Sequence, residues 1–165
     1  MSKMKLSLAT LLLLLPLTAM AAPPSGESIV KNTDLKLLLE TIRSNRKALV
    51  AANLGLTADE ATKFWPIYDN YQKEMNAIGD RIAALVEDYS AHFSDLSNEK
   101  ALQILEDYWN AEADRMKVRR TYLPEFTKIL PGLTVARFFQ IENKMDAVIR
   151  YDLAATIPVV HEKPQ

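Results

Sequence analysis

The chain contains no cysteine and only four glycines among its 165 residues. The lack of cysteine excludes disulfides, thiolate metal sites, a thiol nucleophile and a lipid anchor on cysteine. There is no glycine-rich phosphate-binding loop, and runs of β-branched residues that would form strands are missing. The two histidines, His92 and His161, fall at a predicted helix end and near the C-terminus, where we expect them to be solvated. We therefore predict no metal site and no cofactor.

The first twenty-one residues have the three parts of a bacterial secretory signal. Lys3 and Lys5 precede an apolar run over residues 6–17, and residues 19–21 form a small-x-small cleavage site. The apolar run is shorter than the about 20 residues that usually span a bilayer. We expect cleavage after Ala21, a periplasmic location and no stable membrane insertion after cleavage. The alternative is that the segment is retained as a membrane helix.

Removal of that segment leaves about 144 residues, which suits one domain with a core of its own. Two lysines are removed with it, so 18 basic residues remain against 21 acidic ones and the net charge is near −3. This balance argues against a general affinity for nucleic acid or anionic lipid. We divide the remainder into a flexible leader over residues 22–31, a single helical domain over residues 32–158 and a C-terminal tail over residues 159–165.

The composition and the spacing of apolar residues predict an all-α fold of four long amphipathic helices in an extended bundle or cradle. Prolines inside the second and third helices predict a kink in each, at Pro66 and Pro124. Capping residues, glycines and prolines mark the predicted helix ends. These residues are Thr33, Gly55, Thr57 with Glu60, Ser97, Pro131 with Gly132, Thr134 and Pro158.

Apolar residues recur in steps of three and four on each helix. In the second helix this seam runs from Ala61 to Tyr89, about four heptads, and predicts either a homodimer interface or burial by the other three helices. In the third helix the seam can be drawn from Leu102 or from Leu105, and both frames include Glu112 and Arg119. The first helix is expected to bury one stripe, which consists of Leu35, Leu38, Ile42, Asn45, Leu49 and Ala52. The fourth is expected to bury Val135, Phe138, Ile141, Met145, Val148 and Ile149.

Arg119 requires a carboxylate, because an unpaired charge between packed helices costs several kcal/mol. If the third and fourth helices fold back antiparallel about Pro131, Arg119 comes within about a turn of Glu142. We predict an ion pair between Arg119 and Glu142. The alternative is that Arg119 extends outward beside Arg115 and Arg120.

A basic cluster in the third helix is interleaved with apolar residues. Such a surface can attract an unfolded chain through long-range charge and then shield its apolar segments. The alternative is an ordinary solvated face that pairs with nearby acidic side chains. The candidate client or partner surface consists of Arg115, Lys117, Arg119, Arg120 and Tyr122.

Two helix starts carry related short motifs, Leu56-Thr57-Ala58-Asp59-Glu60 and Leu133-Thr134-Val135-Ala136-Arg137. With the helical architecture they resemble the periplasmic Spy/CpxP family, whose motif is a repeated Leu-Thr-x-x-Gln; Glu60 and Arg137 stand at the glutamine positions. Residues 64–68 and 138–144 are similar to segments of a related branch of exported bacterial helical proteins. The resemblance implies a cradle-shaped helical dimer that holds unfolding proteins without ATP or damps an envelope stress sensor. Some relatives bind zinc, which the ligand types present here do not support.

We therefore expect a non-enzymatic periplasmic binding protein, an ATP-independent chaperone or envelope-stress accessory whose partners are unfolded or envelope proteins. The alternative is a dedicated interaction module for one envelope sensor or complex. An enzyme would need an acid–base dyad or an activated nucleophile, and neither pattern occurs. The prominent aromatic residues could line a groove, but their helical spacing favours the core. These residues are Trp65, Trp109, Phe138 and Phe139.

Overall fold

The computed structural model describes residues 32–160 and shows an all-α fold. The four helices are α1 Asn32–Leu54, α2 Ala58–His92, α3 Asn98–Thr127 and α4 Gly132–Thr156. Residues 32–160 contain no strand, and none of their helices has the length and apolar character needed to cross a membrane. The expected signal segment, the leader and residues 161–165 lie outside the described residues.

Several of the predicted short-range signals form helix ends, whereas α1 begins at Asn32 and so includes Thr33, its predicted cap. Gly55, between α1 and α2, has φ +67°, a backbone region that favours glycine. Thr57 accepts a hydrogen bond from the N–H of Glu60, and the Glu60 carboxylate accepts one from the N–H of Thr57, so the predicted capping box is confirmed. That backbone bond holds the pKa of Glu60 below its usual value. Ser97 caps α3 by accepting the N–H of Lys100, as predicted.

α4 begins earlier than predicted. The carbonyl of Pro131 accepts hydrogen bonds from the N–H groups of Thr134 and Val135, so the first turn forms before Thr134. α2 and α3 continue through Pro66 and Pro124 as unbroken helices. The kinks expected at these prolines stay predictions.

The helices run alternately up and down. Phe64 contacts Phe126 near one end of the α2–α3 pair, while Arg81 bonds Asp114 farther along it, so the two helices are antiparallel. α1 turns into α2 at Gly55 and Lys47 bonds Asp69 farther along, so these two helices are also antiparallel. α3 and α4 are antiparallel too, since Phe126 contacts Phe138 and Arg119 bonds Asp146. This order is that of an up-down-up-down four-helix bundle.

The interior of the bundle has three layers along its axis. At the end where α1 leads into α2, five aromatic side chains are buried with ring centroids 4.7–5.9 Å apart. The middle layer is ionic, and at the far end aliphatic residues surround an open groove. Each aromatic pair adds about 0.5–1.5 kcal/mol beyond its area burial, so the aromatic layer is the tightly packed end. Its central members are Phe64, Tyr68, Tyr71, Phe126 and Phe138.

The seam of α2 is buried within a single chain. Its interior residues follow the predicted spacing, and the other helices of the same chain cover them. The seam therefore cannot supply the expected homodimer interface over residues 64–82. The buried residues of α2 are Phe64, Tyr68, Tyr71, Met75, Ile78 and Ile82.

The inward face of α1 differs from the predicted stripe by one residue. Arg46, Val50 and Leu54 are buried, whereas Asn45 and Leu49 are exposed. Arg46 bonds two carboxylates of α4, so this face of α1 points toward α4. Val50 and Leu54 follow Arg46 in steps of four residues and therefore lie on the same face. The predicted stripe through Asn45 and Leu49 was therefore wrong in this half of α1.

The frame of α3 drawn from Leu102 was wrong in part, because Leu102, Trp109, Met116 and Leu123 are exposed, whereas Phe126 and Leu130 are buried. α3 buries Ala111, Val118 and Phe126 in the core of the bundle. The expectation that Trp109 lies in the core is wrong, since it is mostly exposed. Phe138 is buried as expected, and Trp65 and Phe139 are half-buried against the core.

Candidate binding groove and ion cluster

An open groove occupies the end of the bundle opposite the aromatic layer. Its volume is about 690 Å³, within the usual range of ligand pockets. The walls come from the second half of α2, the first half of α3 and the end of α4. Because these walls are mainly aliphatic, the groove suits an apolar segment or ligand. The residues that form much of the wall are Leu85, Val86, Ile104, Leu105, Leu153 and Ile157.

The groove stays open because several of its lining residues are small. Gly79 of α2, Ala101 of α3 and Ala154 of α4 line it where larger side chains would fill the space. The bundle therefore keeps its helix spacing at this end without filling the interior.

The chain that follows α4 is attached to α2 at the edge of the groove. The Tyr89 hydroxyl donates a hydrogen bond of 2.7 Å to the carbonyl of Pro158. Burial raises the pKa of Tyr89, so this hydroxyl stays a donor at neutral pH. Ile157 and Val160 line the groove beside it, so the bond attaches the segment after α4 at the margin of the groove.

At the inner end of the groove lies an ion cluster that joins α1, α3 and α4. Arg46 donates to Glu142 Oε2 and to Asp146 Oδ1, each at 2.6 Å. The other oxygen of Asp146 accepts from Arg119 and has Arg115 Nη1 at 3.5 Å. Asp146 therefore faces three guanidinium groups. The ion cluster is defined as Arg46, Arg115, Arg119, Glu142 and Asp146.

The ion cluster is largely removed from water. Glu142 is fully buried, and that burial raises its pKa although Arg46 acts in the opposite direction. Burial lowers the pKa of Arg46, but Glu142 and Asp146 outweigh that effect and the net shift is upward. Gln72 of α2 donates to Glu142 Oε2 at 3.0 Å, so α2 also contacts the cluster. With three guanidiniums and two carboxylates, the cluster carries one net positive charge when both carboxylates are ionised.

The predicted partner of Arg119 differs from the observed one. Arg119 does reach a carboxylate of α4, but that carboxylate is Asp146, one turn beyond Glu142. Arg46 and Gln72 bond Glu142 instead. The physical reason is the register of α3 against α4, which pairs Phe126 with Phe138 and carries Arg119 past Glu142.

Sequence reasoning missed Arg46, Gln72 and Asp146. Glu142 and Asp146 are four and eight residues after Phe138, so the spacing places both carboxylates on the same inward face of α4 as Phe138. Two acidic residues on one inward face require basic partners from the facing helices. Arg46 lies on the same face of α1 as Val50 and Leu54, so it could have been predicted as one of these basic partners. The stripe predicted through Asn45 placed Arg46 outside the buried face.

The five residues of the candidate client surface do not form one exposed patch, so that prediction was wrong in its geometry. Arg115 and Arg119 turn inward to Asp146. Tyr122 is half-buried and donates to Glu74 at 2.7 Å; burial and this carboxylate raise its pKa to about 12. The members that remain exposed are Lys117 and Arg120.

No group of three or more histidine, aspartate and glutamate side chains within residues 32–160 is arranged to hold a metal ion. His92 lies 3.1 Å from Asp88, whose other oxygen bonds Lys100 at 2.7 Å across the turn between α2 and α3. The Lys100 bond, with a smaller contribution from His92, lowers the pKa of Asp88. His161 lies outside the described residues.

Comparison of the chain with protein-family models, curated proteins and solved structures found no match. The resemblance to the Spy/CpxP family therefore stays a prediction from the two Leu-Thr motifs.

Proposed function

We propose that this protein is a non-enzymatic binding protein of the periplasm that holds apolar segments of unfolded envelope proteins without ATP. The observation that supports this best is the groove, which is open, mainly aliphatic and about 690 Å³ in volume. The periplasmic location rests on the N-terminal signal pattern, and the chaperone class rests also on the family resemblance.

The size of the groove suits weak and reversible binding. Each aliphatic side chain buried there contributes about 1.5–3 kcal/mol, and association itself costs at least about 4 kcal/mol. Two or three inserted side chains therefore leave a small net affinity. A chaperone that works without ATP needs such affinity, because it must release its client without an energy source.

The charged side chains at the base of the groove favour a client that carries a negative charge. Glu112 and Arg150 pair at the wall, and Arg115 of the ion cluster lies beside them. Counting Arg150 and Glu112 with the ion cluster still leaves one net positive charge. An apolar segment that carries an acidic group at one end fits this arrangement better than one that carries a basic group.

A second candidate is a dedicated module that takes the apolar face of one helix from a single envelope sensor or complex. The groove lies between helices and is open at the surface, which is the geometry of helix-in-groove recognition. Broad protection of unrelated clients favours the chaperone, and capture of one partner favours the module.

The test measures light scattering from a chemically unfolded model protein that is diluted into buffer without ATP. The chain from Ala22 should suppress scattering at near-stoichiometric amounts. Ala154→Trp, which fills the groove, should remove most of that suppression. Ala155→Trp is the matched control, because Ala155 is an exposed neighbour that does not line the groove.

Equal suppression by the two tryptophan variants would contradict the groove as the client site. No suppression by the unsubstituted chain, together with crosslinking to a single partner in the intact envelope, would replace the chaperone with the dedicated module.

A further inference from the structure

The outer face of α3 carries an apolar seam that the bundle leaves uncovered. Its residues recur every seven positions, the spacing by which a helix keeps one face toward a partner helix over several turns. The core of the bundle lies on the other side of α3, at Ala111 and Val118. The seam consists of Leu102, Trp109, Met116 and Leu123, which are 67, 60, 49 and 44% exposed. It spans about 30 Å at about 1.5 Å per residue.

The exposed charges beside this seam are separated by sign along α3. Acidic side chains flank its first half and basic side chains its second half. A parallel copy would place like charges together, whereas an antiparallel copy places each acidic half against a basic half. The exposed acidic residues beside the seam are Glu99 and Glu106, and the exposed basic ones are Lys117 and Arg120.

From this pattern we infer that α3 pairs antiparallel with α3 of a second copy of the chain, about a two-fold axis close to Ala113. In this register Leu102 faces Leu123 of the second copy, and Trp109 faces Met116. The same register places Glu106 opposite Arg120. Because the axis relates the two copies, every contact occurs twice.

The chemistry of the facing residues agrees with this register. Ala113 is small and exposed, so the helices can approach closely at the axis. Methionine sulfur forms favourable contacts with aromatic rings, which suits the Trp109 and Met116 pair. The seam of one helix forms a small interface, and we therefore expect a dimer that dissociates at micromolar concentrations.

This interface is separate from the α2 seam and from the aliphatic interior of the groove. Leu102 lies at the edge of both the seam and the groove, whereas Trp109, Met116 and Leu123 do not line the groove. Dimer formation can therefore fail while client binding succeeds, and the reverse also holds.

The experiment measures the molar mass of the chain from Ala22 by sedimentation equilibrium over a range of concentrations. The unsubstituted chain should move from monomer toward dimer as concentration rises. Trp109→Glu should raise the dissociation constant by about tenfold or more. Leu133→Glu, an exposed leucine outside the seam, is the control and should leave the dimer unchanged. Circular dichroism checks that each variant is folded.

A charge exchange tests the antiparallel register. Glu106→Arg and Arg120→Glu should each weaken the dimer, because each places like charges opposite one another. The doubly substituted chain should recover it, and so should an equimolar mixture of the two single variants. A chain that stays monomeric up to millimolar concentration, or single variants that dimerise as well as the unsubstituted chain, would overturn the proposal.

Discussion

Asp146 is the position at which a small chemical change should have the largest effect on stability. It is buried and faces Arg46, Arg115 and Arg119. Asp146→Asn keeps the shape of the side chain and removes its charge, so the net charge of the ion cluster rises from +1 to +2. Removing one partner of a buried ion pair costs about 3–5 kcal/mol. The free energy of unfolding of such a domain is about 5–15 kcal/mol, so the loss is a large part of the total.

The assay is urea unfolding followed by far-ultraviolet circular dichroism. The midpoint should fall without a change in the m-value, and the melting temperature should drop by about 10–20 °C. Asp69→Asn is the matched control, because Asp69 pairs with Lys47 at 2.6 Å while more than half exposed. That exposed pair should contribute less than about 1 kcal/mol. If Asp146→Asn cost no more than Asp69→Asn, the argument that the cluster depends on this carboxylate would be refuted.

Three further predictions concern the cluster and the helix ends. A double-mutant cycle between Arg119 and Asp146 should give a coupling of about 1 kcal/mol or more in urea unfolding, and the cycle between Arg119 and Glu142 should give almost none. Burial raises the pKa of Glu142 above its usual 4.5, so its contribution to stability is present below about pH 4.5 and is lost as pH rises through the folded-state value. The stability of the unsubstituted chain relative to Glu142→Gln should therefore fall as pH rises, and a constant difference across pH 3–8 would contradict this. Gly55→Ala should destabilise the fold by about 1 kcal/mol, because φ at this position is +67°. Gly132→Ala should stabilise it by about 0.4–1 kcal/mol, because Gly132 has no positive φ and no heavy atom lies within 4 Å of the added carbon. The melting temperature should therefore fall for the first variant and rise for the second.

The parts of the fold that depend on local chemistry could be predicted from sequence. The capping box at Thr57, the glycine at 55, the cap at Ser97 and the buried seam of α2 all depend on residues within a few turns of each other. The class and the number of helices followed from these signals.

The parts that depend on contacts between distant segments could not be predicted. Arg46 and Asp146 are 100 residues apart, and only the register of the packed helices brings them together. α3 has an apolar stripe on each side, so its sequence could not show which stripe faces the core. The stripe through Trp109 was the more regular of the two, yet Trp109 is exposed, and Ala111 and Val118 on the other side of α3 are buried. The groove also escaped prediction, since it results from small residues on three helices that meet only in the folded chain.

The three layers of the bundle imply unequal local stability along its axis. Amides around Phe64, Phe126 and Phe138 should exchange with solvent only when the whole domain unfolds, because the aromatic packing must be lost first. Amides near the end of α4 should exchange through smaller openings, since this end borders the open groove and is less tightly packed than the aromatic end. Occupation of the groove should slow exchange at this end alone and leave the aromatic end unchanged. Slower hydrogen exchange at the groove end, with unchanged exchange at the aromatic end, would therefore reveal that an unlabelled client is bound.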